Sequence, residues 1–169
     1  MKPPRGYETL RRYRTNIDGA SYFVTICTRD RLSGLNDSRP AEAIVAELSS
    51  MAADGAMAPR AWVIMPDHLH LFLRTNGTLT IGQIIGRLKA KTRRALGSRG
   101  LGWQGNYYEH RLRSGDAAED VLRYLYLNPH RGGLVAVGES YRYFWLGTAE
   151  GEWFRAMLDD NRPLPEWLA

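Results

Sequence analysis

Residues 61–73 read AWVIMPDHLHLFL, which is two short apolar runs separated by a Pro-Asp pair. Proline interrupts a strand and aspartate favours a tight turn, so the segment predicts a β-hairpin. Its strands are expected at residues 61–65 and 68–73. Because hairpin strands are antiparallel, we expect this segment to lie inside an antiparallel sheet.

The second strand of the hairpin carries two histidines. Side chains two residues apart point to the same face of a strand, so His68 and His70 project together while Leu69 and Leu71 pack on the other face. Neutral imidazole is the commonest nitrogen ligand of metal ions in proteins. The pair is a candidate for part of a divalent metal site, and two polar residues on a solvated strand face would give the same pattern.

The segments around the hairpin predict an α+β fold. Residues 20–28 and 106–113 are rich in aromatic and β-branched side chains and predict two further strands. Apolar residues recur at helical spacing in 40–54 and most clearly in 78–96. The resulting order of strand, helix, strand, strand, helix, strand is the ferredoxin-like pattern, an antiparallel sheet with helices on one face.

The full chain has a net charge of +5, and its basic residues are concentrated in two segments. We expect one domain over residues 1–169, with a basic arm at 1–16 and a C-terminal extension at 136–169. The charge favours a polyanionic partner such as nucleic acid, and a solvated basic surface would show the same excess. The candidate DNA-binding residues are Arg11, Arg12, Arg14, Lys89, Lys91, Arg93 and Arg94.

Several function classes are disfavoured by composition. No apolar run approaches the ~20 residues that a membrane helix needs. The N-terminal segment MKPPRGYETLRRYR lacks the apolar stretch of a secretory signal, so we expect a cytoplasmic protein with no membrane partner. Cys27 is the only cysteine, which excludes an intramolecular disulfide and a cysteine-based zinc site within one chain.

A third helix is predicted downstream, with Ser114 as its N-cap and Pro129 as its end. Within it, Tyr124 and Asn128 are one helical turn apart and could both face the histidine pair. Tyr126 points about 200° away from Tyr124, so both tyrosines cannot serve one site. Half-buried aromatic anchors would explain the two tyrosines equally well.

Three blocks of sequence follow one another in a fixed order. They are MPDHLH at 65–70, WQGNYYEH at 103–110 and YLYLNP at 124–129. Together they resemble the signature blocks of the single-tyrosine HUH transposases, most closely the branch of REP-associated tyrosine transposases. RRYR at 11–14 is similar to the start of that branch, and the resemblance extends over about residues 10–135.

The resemblance implies a fold of the HUH endonuclease type and a role for each block. His68 and His70 would hold Mg²⁺ or Mn²⁺, and Asn128 would complete the metal shell. Tyr124 would attack single-stranded DNA and form a 5′-phosphotyrosine intermediate. The implied activity is that of a metal-dependent endonuclease and strand transferase acting at repeated palindromic hairpins. A monomer is expected, with a dimer as the alternative.

Two other functions fit parts of the same pattern. A non-catalytic nucleic-acid-binding protein would use the sheet and the basic arm without needing a metal. A metal-dependent hydrolase would use His68, His70 and Asp120 to activate water, and it would release products without a protein–DNA adduct. A covalent adduct separates the transferase from both alternatives.

Overall fold

Five strands pair into an antiparallel sheet in the computed structural model of the protein, which describes residues 19–114, 116–136 and 139–155. The strands are β1 (Ser21–Cys27), β2 (Ala58–Ile64), β3 (His68–Arg74), β4 (Tyr108–Arg111) and β5 (Phe144–Leu146). The helices are α1 (Ser38–Ala53), α2 (Ile81–Gly97), α3 (Ala118–Arg131) and α4 (Thr148–Arg155), and a short 3₁₀ turn spans Arg29–Arg31. The strand order is β4-β1-β3-β2-β5.

The sheet has two buried faces of different composition. On one face Val24 and Leu71 belong to the larger apolar core, which α1 and α2 cover. On the other face Phe23, Val63 and Phe72 pack against the apolar side of α3. The ferredoxin-like fold is therefore confirmed, with the two helices of the repeating pattern on one face and α3 added on the opposite face.

Helix α2 has both a defined start and a strongly apolar side. Thr80 and Gln83 form a capping box, in which each side chain accepts a hydrogen bond from the backbone N–H of the other residue. Ile84 and Leu88 are fully buried against the sheet. No helix in the described part of the chain is long and apolar enough to cross a membrane.

Helix α3 differs from its predicted limits at both ends. Ser114 lies in a turn that Asp116 closes by accepting a hydrogen bond from the backbone N–H of Arg113 at 2.9 Å, so the helix begins only at Ala118. Pro129 lies inside the helix instead of ending it. Proline removes one N–H donor, and in the last helical turn this loss does not prevent the chain from continuing to Arg131.

The C-terminal extension contributes a strand that the sequence pattern did not predict. β5 pairs with β2, and the indole of Trp145 stacks on that of Trp62 with ring centroids 6.2 Å apart. The edge of the sheet next to β2 is thereby covered. Residues 156–169 of the extension and the arm at 1–16 lie outside the described residues.

The fold predicts opposite effects for two substitutions. Leu71→Ala should lower the free energy of unfolding by about 2–5 kcal/mol, because the side chain is fully buried under α1 and α2. Gly86→Ala should raise it by about 0.5–1 kcal/mol, because the new Cβ on α2 meets no atom within 4 Å. Urea denaturation measures both changes. A Leu71→Ala variant as stable as the wild type would contradict the assigned core.

Candidate active site

The pairing of β1 with β3 fixes the surroundings of the two histidines. Thr25 lies opposite His70, and Cys27 lies opposite His68. Both imidazoles are on the sheet face that α3 covers, whereas Leu69 is buried in the core on the other face. His70 is only 4% exposed, so its ring is held almost entirely by protein atoms.

The two rings meet through their Nε2 atoms, which are 3.0 Å apart. His68 Nδ1 lies 2.6 Å from a carboxylate oxygen of Asp67, and His70 Nδ1 lies 2.8 Å from the hydroxyl of Thr25. A carboxylate only accepts, so His68 carries its proton on Nδ1 and keeps a lone pair on Nε2. Outer partners of this kind orient metal-binding histidines by fixing the tautomer.

Burial keeps both histidines neutral at physiological pH. It lowers the pKa of His68, and the hydrogen bond that His68 donates to Asp67 opposes that effect only in part. Burial also holds the pKa of His70 well below its ordinary value, and the positive charges of Arg31 and of His68, when that ring is protonated, lower it further. Neutral imidazoles have lone pairs available for a metal ion over a wide pH range.

The histidine pair fits a divalent ion. Two ligand atoms at right angles and about 2.1 Å from an octahedral ion are separated by about 3.0 Å, which is the observed distance between the two Nε2 atoms. Without a cation, the same distance allows His70 to donate an Nε2 proton to His68, whereas with its proton on Nδ1 and directed to Thr25 both Nε2 lone pairs are open to an ion. The described residues contain no group of three or more His, Cys, Asp or Glu side chains that could hold a metal.

Helix α3 places Tyr124 beside the histidines. Its ring packs edge-on against His70 at 5.2 Å and against Phe23 at 5.7 Å between ring centroids. Tyr126 lies elsewhere, against Phe144 and His130. Asn128 donates from Nδ2 to the carbonyl oxygen of Tyr124 at 3.2 Å, and no described hydrogen bond uses its Oδ1. Asn128 thus retains an oxygen that could act as a metal ligand.

The basic residues of α2 fall into two groups. Lys91, Arg93 and Arg94 are exposed, and no carboxylate in the described part of the chain pairs with them. Arg93 and Trp103 line a surface cleft of about 600 Å³ at the C-terminal end of α2. Lys89 instead donates to the carbonyl oxygens of residues 104, 105 and 106 at 2.7, 3.3 and 3.1 Å. Arg11, Arg12 and Arg14 lie outside the described residues.

Three residues of the site were not predicted from the sequence. The sequence pattern places Asp67 only in the hairpin turn. Its position next to His68 could have indicated a carboxylate that accepts a hydrogen bond from the imidazole. Thr25 reaches His70 through a strand pairing that no local pattern reveals. Arg31 contacts Asp67 from the 3₁₀ turn, with a guanidinium nitrogen 3.4 Å from the carboxylate.

Comparisons with known proteins agree with the fold and the motifs. The sequence model of the family described as "Transposase IS200 like" matches residues 16–124. The "REP-associated tyrosine transposase" of Escherichia coli (strain K12) is 26% identical over 123 residues, which are 72% of this chain and 73% of that protein.

A solved structure has a similar fold. It is described as "Structure of the REP associates tyrosine transposase bound to a REP hairpin" and matches with a TM-score of 0.67 and 22% identity, covering 85% of this chain and 82% of that chain. Together with the family match, it confirms the resemblance that the blocks at 65–70, 103–110 and 124–129 indicated.

The buried histidines predict that acid destabilises the metal-free protein. The pKa of His70 in the folded chain lies below its ordinary value of 6.5, so the unfolded chain binds more protons as the pH falls. The stability that neutral His70 contributes is therefore present above pH 6.5 and is lost below it, by at most about 1.4 kcal/mol per pH unit.

Urea denaturation between pH 7.5 and 5, with a chelator present, measures this dependence. His70→Gln removes the titrating group, so its stability should change less with pH than that of the wild type. Equal pH dependence in the two proteins would show that His70 is not held neutral by the fold.

Proposed function

The chain belongs to the family of IS200-like transposases, and from this we propose that it is a metal-dependent single-stranded DNA endonuclease and strand transferase. Tyr124 is the proposed nucleophile, and the proposed intermediate is a 5′-phosphotyrosine. The proposed substrate is single-stranded DNA with hairpin-forming repeats, and the proposed form is a cytoplasmic monomer. The solved transposase with a similar fold was bound to a REP hairpin, which supports this substrate.

One observation supports the proposal above all others. The ring of Tyr124 contacts His70, whose Nε2 lies 3.0 Å from that of His68. A phenol and two neutral imidazoles thus converge from a helix and a strand that are far apart in the sequence. Tyr126, only two residues away, lies in a different environment against Phe144.

The proposed reaction exchanges one phosphoester bond for another, so the number of such bonds does not change. The phenolic oxygen of Tyr124 forms a bond to phosphorus, and the bond from phosphorus to the 3′ oxygen of the preceding nucleotide breaks. The phenolic proton passes to solvent, and the departing 3′ oxygen takes up a proton. Attack by a 3′-hydroxyl on the phosphotyrosine reverses these steps, so strands can be joined without ATP.

The residues of the site have separate proposed roles. His68, His70 and Asn128 would hold Mg²⁺ or Mn²⁺, and HUH transposases generally use a divalent metal. Such an ion would polarise a non-bridging phosphate oxygen and stabilise the charge that develops on it. Asp67 and Thr25 keep the imidazoles oriented, and the contact of Tyr124 with Phe23 restricts the phenol ring to the neighbourhood of His70.

Replacing Tyr124 and Tyr126 one at a time tests which of the two tyrosines is the nucleophile. With Mn²⁺ and a REP-hairpin oligonucleotide that has single-stranded flanks, the wild type should form a protein–DNA adduct that survives a denaturing gel. Tyr124→Phe keeps the ring contacts and loses only the phenolic oxygen, so it should form no adduct. Tyr126→Phe is the matched control and should retain adduct formation.

Other outcomes would select the alternative functions. Cleavage without any adduct in the wild type would indicate a metal-dependent hydrolase. Hairpin binding without cleavage would indicate a non-catalytic binding protein. Adduct formation by Tyr124→Phe at the wild-type rate would exclude Tyr124 as the nucleophile.

The exposed basic residues of α2 are proposed to bind the DNA backbone. Each phosphate contact to a single strand contributes about 0.7 to the slope of log K against log salt concentration. Replacing Lys91, Arg93 and Arg94 by Gln should therefore lower the slope by about 2 if each contacts one phosphate. Lys89 is left intact because its ammonium group bonds to backbone carbonyls.

The control for this measurement replaces arginines that already have partners. Arg99 and Arg142 pair with Asp37 and Glu42, so a double Gln variant at Arg99 and Arg142 should leave the slope nearly unchanged. Equal slopes for the wild type and the triple variant of α2, with folding intact, would mean that the DNA lies elsewhere.

A further inference from the structure

The 3₁₀ turn after β1 has an unusual backbone. Asp30 and Arg31 have φ angles of 55° and 56°, in the left-handed region that residues other than glycine rarely adopt. Two consecutive side-chain-bearing residues in this region store strain, and strain of this kind concentrates at functional sites. The turn follows directly after Cys27 and Thr28, at the end of β1 that pairs with the start of β3.

The strained turn directs the side chain of Arg31 toward the candidate active site. One guanidinium nitrogen lies 3.0 Å from the sulfur of Cys27 and 3.4 Å from a carboxylate oxygen of Asp67. The other carboxylate oxygen of Asp67 accepts the hydrogen bond from Nδ1 of His68. A single carboxylate therefore separates the guanidinium from the first proposed metal ligand.

The contacts of Arg31 leave most of its hydrogen-bonding capacity toward solvent. A guanidinium has five N–H donors in a planar fork. The contacts of its guanidinium with described residues, to a weakly accepting sulfur and to one oxygen at 3.4 Å, both involve the same nitrogen. The side chain is 59% exposed, whereas Asp67 is 26% exposed, so the fork lies at the mouth of the site.

We propose that Arg31 is a phosphate-binding residue that holds a non-bridging oxygen of the scissile DNA phosphate beside His68. Arginine suits this task because its fork matches the geometry of a phosphate. The inference rests on the proposed function, since it needs a scissile phosphate at the histidine pair. Arg31 would add positive charge at the phosphate that Tyr124 attacks, in the same region where the metal is proposed to bind.

The test neutralises the phosphate and removes the arginine, separately and together. Wild-type cleavage first maps the scissile phosphate in a REP-hairpin oligonucleotide with single-stranded flanks. The same oligonucleotide is then made with an uncharged methylphosphonate at that position. Binding is measured with Tyr124→Phe and with Tyr124→Phe/Arg31→Gly, in a chelator so that the readout does not depend on metal. Arg31→Gly suits the left-handed backbone, and folding should therefore survive.

The expected result is a coupling between the two changes. The methylphosphonate should weaken binding of Tyr124→Phe by about tenfold, as for the loss of a charge-assisted hydrogen bond. It should weaken binding of the Arg31→Gly double variant by less than about twofold, because the partner is already missing. Asp30→Gly in place of Arg31→Gly is the matched control. It relieves strain at the adjacent left-handed position, keeps the guanidinium and should preserve the tenfold effect.

Three other results would contradict the proposal, each in a different way. Equal weakening in both variants would show that Arg31 does not touch this phosphate and acts only through Asp67 or the turn. Loss of the effect in Asp30→Gly as well would assign it to the backbone of the turn. If the wild type forms no adduct and no cleavage site can be mapped, the proposed function fails and the inference about Arg31 fails with it.

Discussion

The antiparallel pairing of β1 with β3 is the constraint on which the site depends. It sets Thr25 against His70 and Cys27 against His68, and it brings the end of β1 to the start of β3. A shift of this pairing by one residue would turn the side chains of one strand to the opposite face and break these contacts. The large apolar core on the other face opposes such a shift, because Val24, Leu69 and Leu71 are fully buried there.

Burial and orientation act together on the histidine pair. Removal from water disfavours the charged form of each ring, and the partners at Nδ1 leave the Nε2 atoms facing each other. The ring of Phe23 packs against both His70 and Tyr124, and this packing keeps the ring of Tyr124 next to His70. Thus one sheet face provides both the neutral nitrogen donors and the position of the phenol, before any DNA is bound.

The hairpin and the shared face of His68 and His70 could be predicted because strand side chains alternate with a period of two. The roles of Thr25 and Asp67 could not be predicted in the same way, since they depend on tertiary contacts. Lys89 shows the limit of charge patterns. It belongs to the basic cluster in sequence, yet its ammonium group is held by backbone carbonyls of the following loop. β5 was missed because it is only three residues long.

The attachment site of the DNA tests the central claim most directly. Trypsin cuts after Arg123 and Arg131, so the adduct should yield residues 124–131 carrying a nucleotide fragment, and fragmentation in the mass spectrometer distinguishes the two tyrosines of this peptide. The account predicts that the 5′-phosphate is on Tyr124. A nucleotide on Tyr126, or on Tyr107 or Tyr108 in another peptide, would contradict the proposed convergence of phenol and histidines.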